Sequence, residues 1–256
     1  MSVLLVNDVE GIRTLTLNRP EVRNALNQEL REVLNQTLLE TQTDSTIRAV
    51  ILTGASTTFC AGMDLAELEK LQDKSYEDNL EDATKLAELL ELVYTFPKPV
   101  IAALQGHALA GGAGLASACD FVIMSEAANL GYTEVKLGFV AALVSVFLIR
   151  QVGERRARDL LLSGRLINAA EALEFGLVNE IHGSDKVMPR AFELAKDLSQ
   201  NAPNALATTK RLLADLPSLR LQDALHHAAE VNAMVRGDEE LKEGVRAFLE
   251  KRQVRW

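Results

Sequence analysis

The sequence is short of cysteine, of basic clusters and of long apolar runs, and each shortage excludes a class of protein. Cys60 and Cys119 are the only two cysteines in 256 residues. They show no CxxC spacing and no histidine at metal-ligand distance, so they make neither a disulfide framework nor a zinc site. They read as small buried hydrophobes in a reducing compartment. Lysine and arginine number 27 against 36 aspartates and glutamates, a formal charge of −9. Without a basic run nucleic acid is a poor partner, because phosphate binding needs clustered Lys and Arg. A local patch can still oppose the global sign and hold an anionic substrate. The opening MSVLLVNDVEG lacks the basic flank and apolar length of a signal peptide. The most apolar stretch, Phe139 to Ile149, contains Ser145 and falls well short of the ~20 residues of a membrane span. The expectation is a cytoplasmic protein with no membrane partner. His226 and His227 are adjacent with no HExxH frame, so no metal is expected.

What is present is an ordinary globular composition, 48% hydrophobic and 25% charged, long enough for one large domain or one domain with a small extension. Two β-type runs, Val3 to Val6 and Ile12 to Leu17, read as a hairpin. Helical spacing follows from about Asn27, with Leu30, Val33, Leu34, Thr37 and Leu38 on one face. Strand and helix signals then alternate. Ala49 to Leu52 is a strand, followed by a polar loop to Phe59 and a helix from about Asp64. Lys85 to Tyr94 is helical, Val100 to Leu104 a strand, and Gly112 to Ala118 a small-residue helix after a Gly-rich turn. Phe121 to Met124 is a further strand. Such alternation favours an α/β fold with parallel pairing and crossover helices, and the continuous apolar strands fit a sheet covered on both faces. From about Asp185 only helical patterns remain: Ala191 to Leu198, Ala205 to Leu213, Leu221 to Val235 and Glu239 to Phe248. The predicted organisation is a core over residues 1–195 and a helical region over 196–256 that packs on the core or on a neighbouring subunit.

Two segments, AVILTGASTTFCAGMDL (Ala49 to Leu65) and PVIAALQGHALAGGAGLASACD (Pro99 to Asp120), share a strand, a turn with glycine and a helix start. A helix N-terminus leaves backbone N–H groups unpaired, and glycine lets a substrate approach the backbone closely. Two such turns that converge would supply the pair of donors that a developing oxyanion requires. A rival reading takes Gly112-Ala113-Gly114-Leu115-Ala116-Ser117 as an approximate dinucleotide fingerprint with Glu134 as the ribose acid. Against it stand Ser117 in the third position, the distance from the preceding strand and the long stretch of chain before it. No Gly-Lys-Ser/Thr follows, which excludes a P-loop. For Gly111, Gly112 and Gly114, packing of helix on sheet is the structural alternative.

LNRPEVRNALN (Leu17 to Asn27), FCAGMDL (Phe59 to Leu65), GHALAGGAGLASACD (Gly106 to Asp120) and LGYTEVKLGF (Leu130 to Phe139) together resemble the enoyl-CoA hydratase/isomerase, or crotonase, family. GRLINAAEALEFGLVNEI (Gly164 to Ile181) and AFLEKR (Ala247 to Arg252) continue the resemblance over almost the whole chain. It implies a spiral of ββα units with a C-terminal helical region, assembled as a homotrimer or dimer of trimers. It also implies an acyl-CoA substrate, with no cofactor beyond the coenzyme A that the substrate carries. By motif position the thioester oxygen would be held by the backbone N–H groups of Met63 and Gly111. Arg23, Ala25, Ala61, Gly62, Asp64 and Leu65 would line the coenzyme A path, with Gly112 and Gly114 beside the substrate. Phe248 and Lys251 would help hold coenzyme A, sometimes from a neighbouring subunit; for Lys251 a solvated helix end is the alternative.

Many hydratases of the family carry two glutamates, and here the first position is Gly114 and the second is Glu134. One carboxylate then has to shuttle the proton, which makes Glu134 the candidate acid/base. Tyr132, Val135, Leu137 and Phe139 would supply an apolar pocket to raise its pKa. The run of motifs is similar to hydratases of methylglutaconyl and other branched glutaconyl CoA esters, although their usual Pro is Ala141 here. On that resemblance Gly114 would leave room for a substrate branch or carboxylate. Alternatives are an isomerase, a decarboxylase, or a catalytically silent CoA-binding homologue. His107 reads as a packed histidine or one touching the thioester, Asp120 as structural. Lys210 and Arg211 read as a solvated face or an attractor of phosphate.

Overall fold

The computed structural model describes residues 2–254 and Trp256. β1 (Leu4–Val9) and β2 (Ile12–Leu17) form the expected antiparallel hairpin. α1 (Gln28–Thr43) starts where the Asn27 side chain accepts from the Leu30 N–H, an N-cap that satisfies one of the helix's free donors. Leu30, Leu34 and Leu38 face the core, while Val33 of the expected face is exposed. There follow β3 (Ala49–Gly54), β4 (Thr58–Cys60), α2 (Leu65–Leu71) and α3 (Tyr76–Thr95). Next come β5 (Val100–Leu104), β6 (His107–Leu109), α4 (Gly111–Ser117), β7 (Phe121–Ser125) and β8 (Asn129–Gly131). A 3-10 turn, Glu134–Leu137, leads into α5 (Ala142–Ser163), which is interrupted at Gly153. β9 (Leu166–Asn168), α6 (Ala169–Phe175), β10 (Glu180–His182) and α7 (Ser184–Leu198) complete the core, followed by α8 (Pro203–Asp215), α9 (Leu221–Val235) and α10 (Glu239–Leu249).

Two sheets share the strands in alternation. The larger has the order β1-β2-β3-β5-β7-β10 and is parallel beyond its hairpin; the smaller has the order β4-β6-β8-β9. Each circuit therefore places one strand in the large sheet, one in the small sheet and then a helix: β3, β4, α2; β5, β6, α4; β7, β8, α5. This is a spiral of ββα units. Along β3, Val50 and Leu52 enter one buried cluster with α1 and α3, while Ala49 and Ile51 enter a second one against α7. Burial on both faces is why this strand reads as an unbroken apolar run. Val50, Leu52 and Ile51 each contribute about 1.5–3 kcal/mol by burial.

α7 belongs to the core. Its Val187, Ala191 and Ala195 are buried against the large sheet and Leu198 packs beside them, so the packing runs past the expected boundary at residue 195. α8 and α9 have no buried residue and α10 has only Ala247. Leu221, Leu225, Met234, Phe248 and Leu249 there are each at least 60% exposed. Lys210 fastens α8 to the core through Asp120 (2.6 Å) and the Lys98 carbonyl (3.0 Å). It is a structural ion pair rather than a solvated face or a phosphate attractor, and Asp120 is its partner. No helix among the described residues is long and apolar enough to cross a membrane.

Candidate active site

The turns after β4 and before α4 come together at two glycines. A Cβ built on Gly62 would lie 3.0 Å from the Gly111 nitrogen, and one built on Gly111 would lie 3.7 Å from the Met63 nitrogen. The missing side chain at Gly62 lets the two segments touch, which brings the Met63 and Gly111 amides side by side. Each amide is also free. Leu26 bridges Met63 in parallel fashion, with its N–H on the Gly62 carbonyl (2.7 Å) and its carbonyl on the Asp64 N–H (3.1 Å). That pattern turns the N–H of Met63 itself away from the bridge. Gly111 is the first residue of α4, where an N–H has no partner within the helix. Neither amide donates to any acceptor among the described residues.

Ala110, just before Gly111, holds φ +49°, ψ −125°, a left-handed conformation that costs a non-glycine residue about 1–3 kcal/mol. Its N–H donates to the Gly131 carbonyl at 2.7 Å, which fixes the strained turn against β8. Where the sequence predicts one Gly-rich turn, the chain inserts β6 and starts α4 at Gly111. Gly112 and Gly114 thus lie inside a buried helix and not in the turn that a dinucleotide fingerprint requires.

Gly112 and Gly114, within α4, serve packing. A Cβ at Gly112 would come within 2.3 Å of the Cys60 carbonyl oxygen, and one at Gly114 within 2.0 Å of Val144 Cγ1. The room expected beside Gly114 is therefore corrected: Val144 of α5 fills it, and both glycines are buried.

Glu134 opens the 3-10 turn three residues beyond Gly131. It is 8% exposed, and its Oε2 is buried with no hydrogen-bond partner among the described residues. Burial pushes its carboxyl above the usual carboxylate range, against the smaller opposing pull of its own backbone N–H. The pocket differs from expectation. Tyr132 is fully buried, but Val135, Leu137 and Phe139 are 44%, 66% and 47% exposed.

Asp64 caps α2 through the Ala66 N–H (3.0 Å) and pairs with Arg19 at 2.8 Å. Burial raises its carboxyl, but the bonds from Arg19 and the helix N–H groups outweigh that and hold it below the usual range. It is the N-cap of α2 and the ion-pair partner of Arg19. Ala25 is buried and its carbonyl accepts from Arg19. Arg23 is exposed with φ +55°, and its carbonyl accepts from the Ala61 N–H at 3.0 Å. Leu65 is 60% exposed. Phe248 and Lys251 are exposed at the end of α10. His107 is exposed, and its Nδ1 accepts from the Asn129 N–H at 3.0 Å, so it ties β6 to β8. Burial pushes the Cys60 thiol up to about 12 and raises Cys119 as well; both are inert as nucleophiles. No group of His, Cys, Asp and Glu among the described residues assembles as a metal centre.

Sequence reasoning missed Ala110, Arg19 and a buried hydroxyl pair, Ser117 with Tyr132 at 2.7 Å. Arg19 stands in the Asn-Arg-Pro motif, but an alanine at positive φ carries no mark in the sequence.

The family model described as enoyl-CoA hydratase/isomerase matches residues 7–256. A Thermus thermophilus protein named provisionally as an enoyl-CoA hydratase is 51% identical over 245 residues, spanning 96% of this chain and 97% of that one. The 2,3-dehydroadipyl-CoA hydratase of Escherichia coli is 36% identical over 98% of this chain and 97% of its own. The crystal structure of an enoyl-CoA hydratase from Shewanella pealeana superposes with a TM-score of 0.94 at 32% identity, covering 99% of this chain and 96% of that one. That from Mycobacterium smegmatis gives 0.93 at 29%, covering 100% and 99%. The spiral is thus the crotonase fold, and the chain belongs to the enoyl-CoA hydratase/isomerase family.

Proposed function

We propose that the protein is an enoyl-CoA hydratase that adds water across the double bond of an α,β-unsaturated acyl-CoA. The observation that carries this reading is the pair of free, adjacent amides at Met63 and Gly111 together with a buried, unpartnered carboxylate at Glu134. The thioester carbonyl oxygen accepts from both amides. Each donor aimed at the developing enolate oxygen is worth about 3–4 kcal/mol of barrier. The Glu134 carboxylate takes a proton from water as the water oxygen bonds to the β-carbon. It then returns that proton to the α-carbon, which regenerates the carboxylate and consumes no co-reactant. A single carboxylate on one face delivers both parts of water to that face, so the addition is syn.

Arg23, Ala25, Ala61, Gly62 and Leu65 line the coenzyme A path in this reading, and Phe248 and Lys251 hold it from α10, of the same or a neighbouring subunit. The exposed apolar side chains of α9 and α10 serve assembly as a trimer or dimer of trimers. A branched glutaconyl-type ester as substrate rests on the resemblance of the motifs alone, since Val144 occupies the space beside Gly114.

The test is a panel of enoyl-CoA esters, straight and branched, with product mass analysis. A product heavier by one water, with loss of the conjugated enoyl absorbance, is expected. A moved double bond at unchanged mass would make it an isomerase, and tight binding without turnover a silent homologue.

A further inference from the structure

We infer that the buried hydroxyl pair of Tyr132 and Ser117 is a positioning clasp that fixes Glu134 relative to the Gly111 amide. The inference rests on the reading of those two groups as parts of one site. Between them lie one hydrogen bond, Ala110 N–H to the Gly131 carbonyl at 2.7 Å, and the three residues Tyr132, Thr133 and Glu134. The pairing of β8 with β6 and β9 ends at Gly131, and backbone ties at that end alone leave so short a segment free to pivot. The second point of attachment is the Tyr132 hydroxyl, bonded to Ser117 Oγ at 2.7 Å with both residues essentially inaccessible. Ser117 is the last residue of α4 and Gly111 the first. The strand leaving β8 is thereby held at both ends of the helix that presents the amide. Among the described residues no other side-chain hydrogen bond joins α4 to the segment carrying Glu134.

The far end of α4 is itself anchored, because the Ser117 carbonyl accepts from the Gln151 side chain and Val144 abuts Gly114. Tyr132 therefore pulls against a fixed point. Burial, more than any partner, pushes its phenol well above the ordinary range, and Glu134 adds to the rise; the hydroxyl is neutral and available as a donor or acceptor. Tyr132 and Ser117 act through Glu134 and are positioning residues, not catalytic ones.

The experiment compares Tyr132→Phe, Ser117→Ala and the double variant with the unmodified enzyme, using whichever enoyl-CoA ester is turned over. Each single variant should lower kcat about 10- to 100-fold, the scale of a small misplacement of a reacting group, with KM changed less than twofold. The double variant should be no slower than the worse single one, because the two hydroxyls act as one unit. The acid limb of the kcat profile should also move to lower pH, since a freed segment lets water reach Glu134 and ease its burial. Unfolding temperature is recorded for all, and Tyr132→Phe, which keeps the ring, is the variant that keeps the fold. Losses that multiply in the double variant, or an unchanged kcat and pH profile in folded Tyr132→Phe, would overturn the clasp. Glu134→Gln run in parallel separates the two ideas. If it keeps full turnover the assignment of Glu134 fails; if it is inactive while Tyr132→Phe is normal, only the clasp fails.

Discussion

The amides of Met63 and Gly111 lie side by side but hang from opposite kinds of support. Gly111 opens α4, six of whose seven residues are buried and whose Gly112 and Gly114 admit no side chain. Met63 precedes α2, which has no buried residue at all. α2 is held by polar ties: Asp64 to Arg19 at 2.8 Å and Glu67 to the Gln28 N–H at 2.7 Å. One donor is thus fixed by close packing, which tolerates little displacement. The other leads into a helix with no buried residue, and sparse burial marks the segments from which movable parts of binding sites are drawn. A thioester entering the site would find one rigid donor and one that can yield.

The largest effect expected concerns the group both supports serve. Glu134→Gln should cut hydration about 10²–10⁴-fold, measured as kcat with an enoyl-CoA ester. The same change should stabilise the fold. The folded pKa of Glu134 lies above its unfolded value, so the ionised group opposes folding above the folded pKa, and that cost vanishes as pH falls through it. In thermal unfolding the variant should melt above the wild type in alkaline buffer, with the gap closing as the pH is lowered. A lower melting temperature at all pH values would contradict the buried, unpartnered state of the carboxylate.

Next is the rigid support. Gly112→Ala drives a methyl onto the backbone carbonyl of Cys60, which cannot rotate away, and should cost about 1–3 kcal/mol in urea unfolding. A neutral result would show that α4 is less tightly held than its burial implies.

The yielding support should respond more gently. Asp64→Asn keeps a capping side chain and removes the charge that faces Arg19. Hydrogen exchange over Leu65–Leu71 should rise about tenfold, while Gly112–Ser117 stays protected. In the wild type this tie is fully present above the ordinary aspartate pKa of about 3.9, and it is lost as pH falls through the lower folded value. Equal acceleration in both helices would erase the contrast.

Smallest of all, Phe248→Ala on the exposed end of α10 should change the stability of a protomer by less than about 0.5 kcal/mol. If that surface joins subunits, the same variant should lower the mass seen by light scattering.

Much of this was legible in the amino acids, for reasons that differ by element. β3, β5 and β7 are buried on both faces, so each is a continuous apolar run. β4, β6, β8 and β9 have three residues each, too few for a period to register. α3 begins at Tyr76, well before Lys85, because Ser75 and Asp78 form a capping box and its first turns are polar and exposed. At the site, Met63, Gly111 and Glu134 stand out from motif order and chemistry. The space beside Gly114 could not be read, because what fills it is Val144, on another helix. The same holds for Tyr132 and Ser117, fifteen residues apart, whose meeting depends on how the chain returns past α4 after β8.

A structure of the protein with a bound enoyl-CoA or inert thioester analogue tests the central claim most directly. The account predicts one carbonyl oxygen within about 2.7–3.1 Å of both the Met63 and the Gly111 nitrogen. A thioester oxygen that touches neither amide, or only one of them, would contradict it.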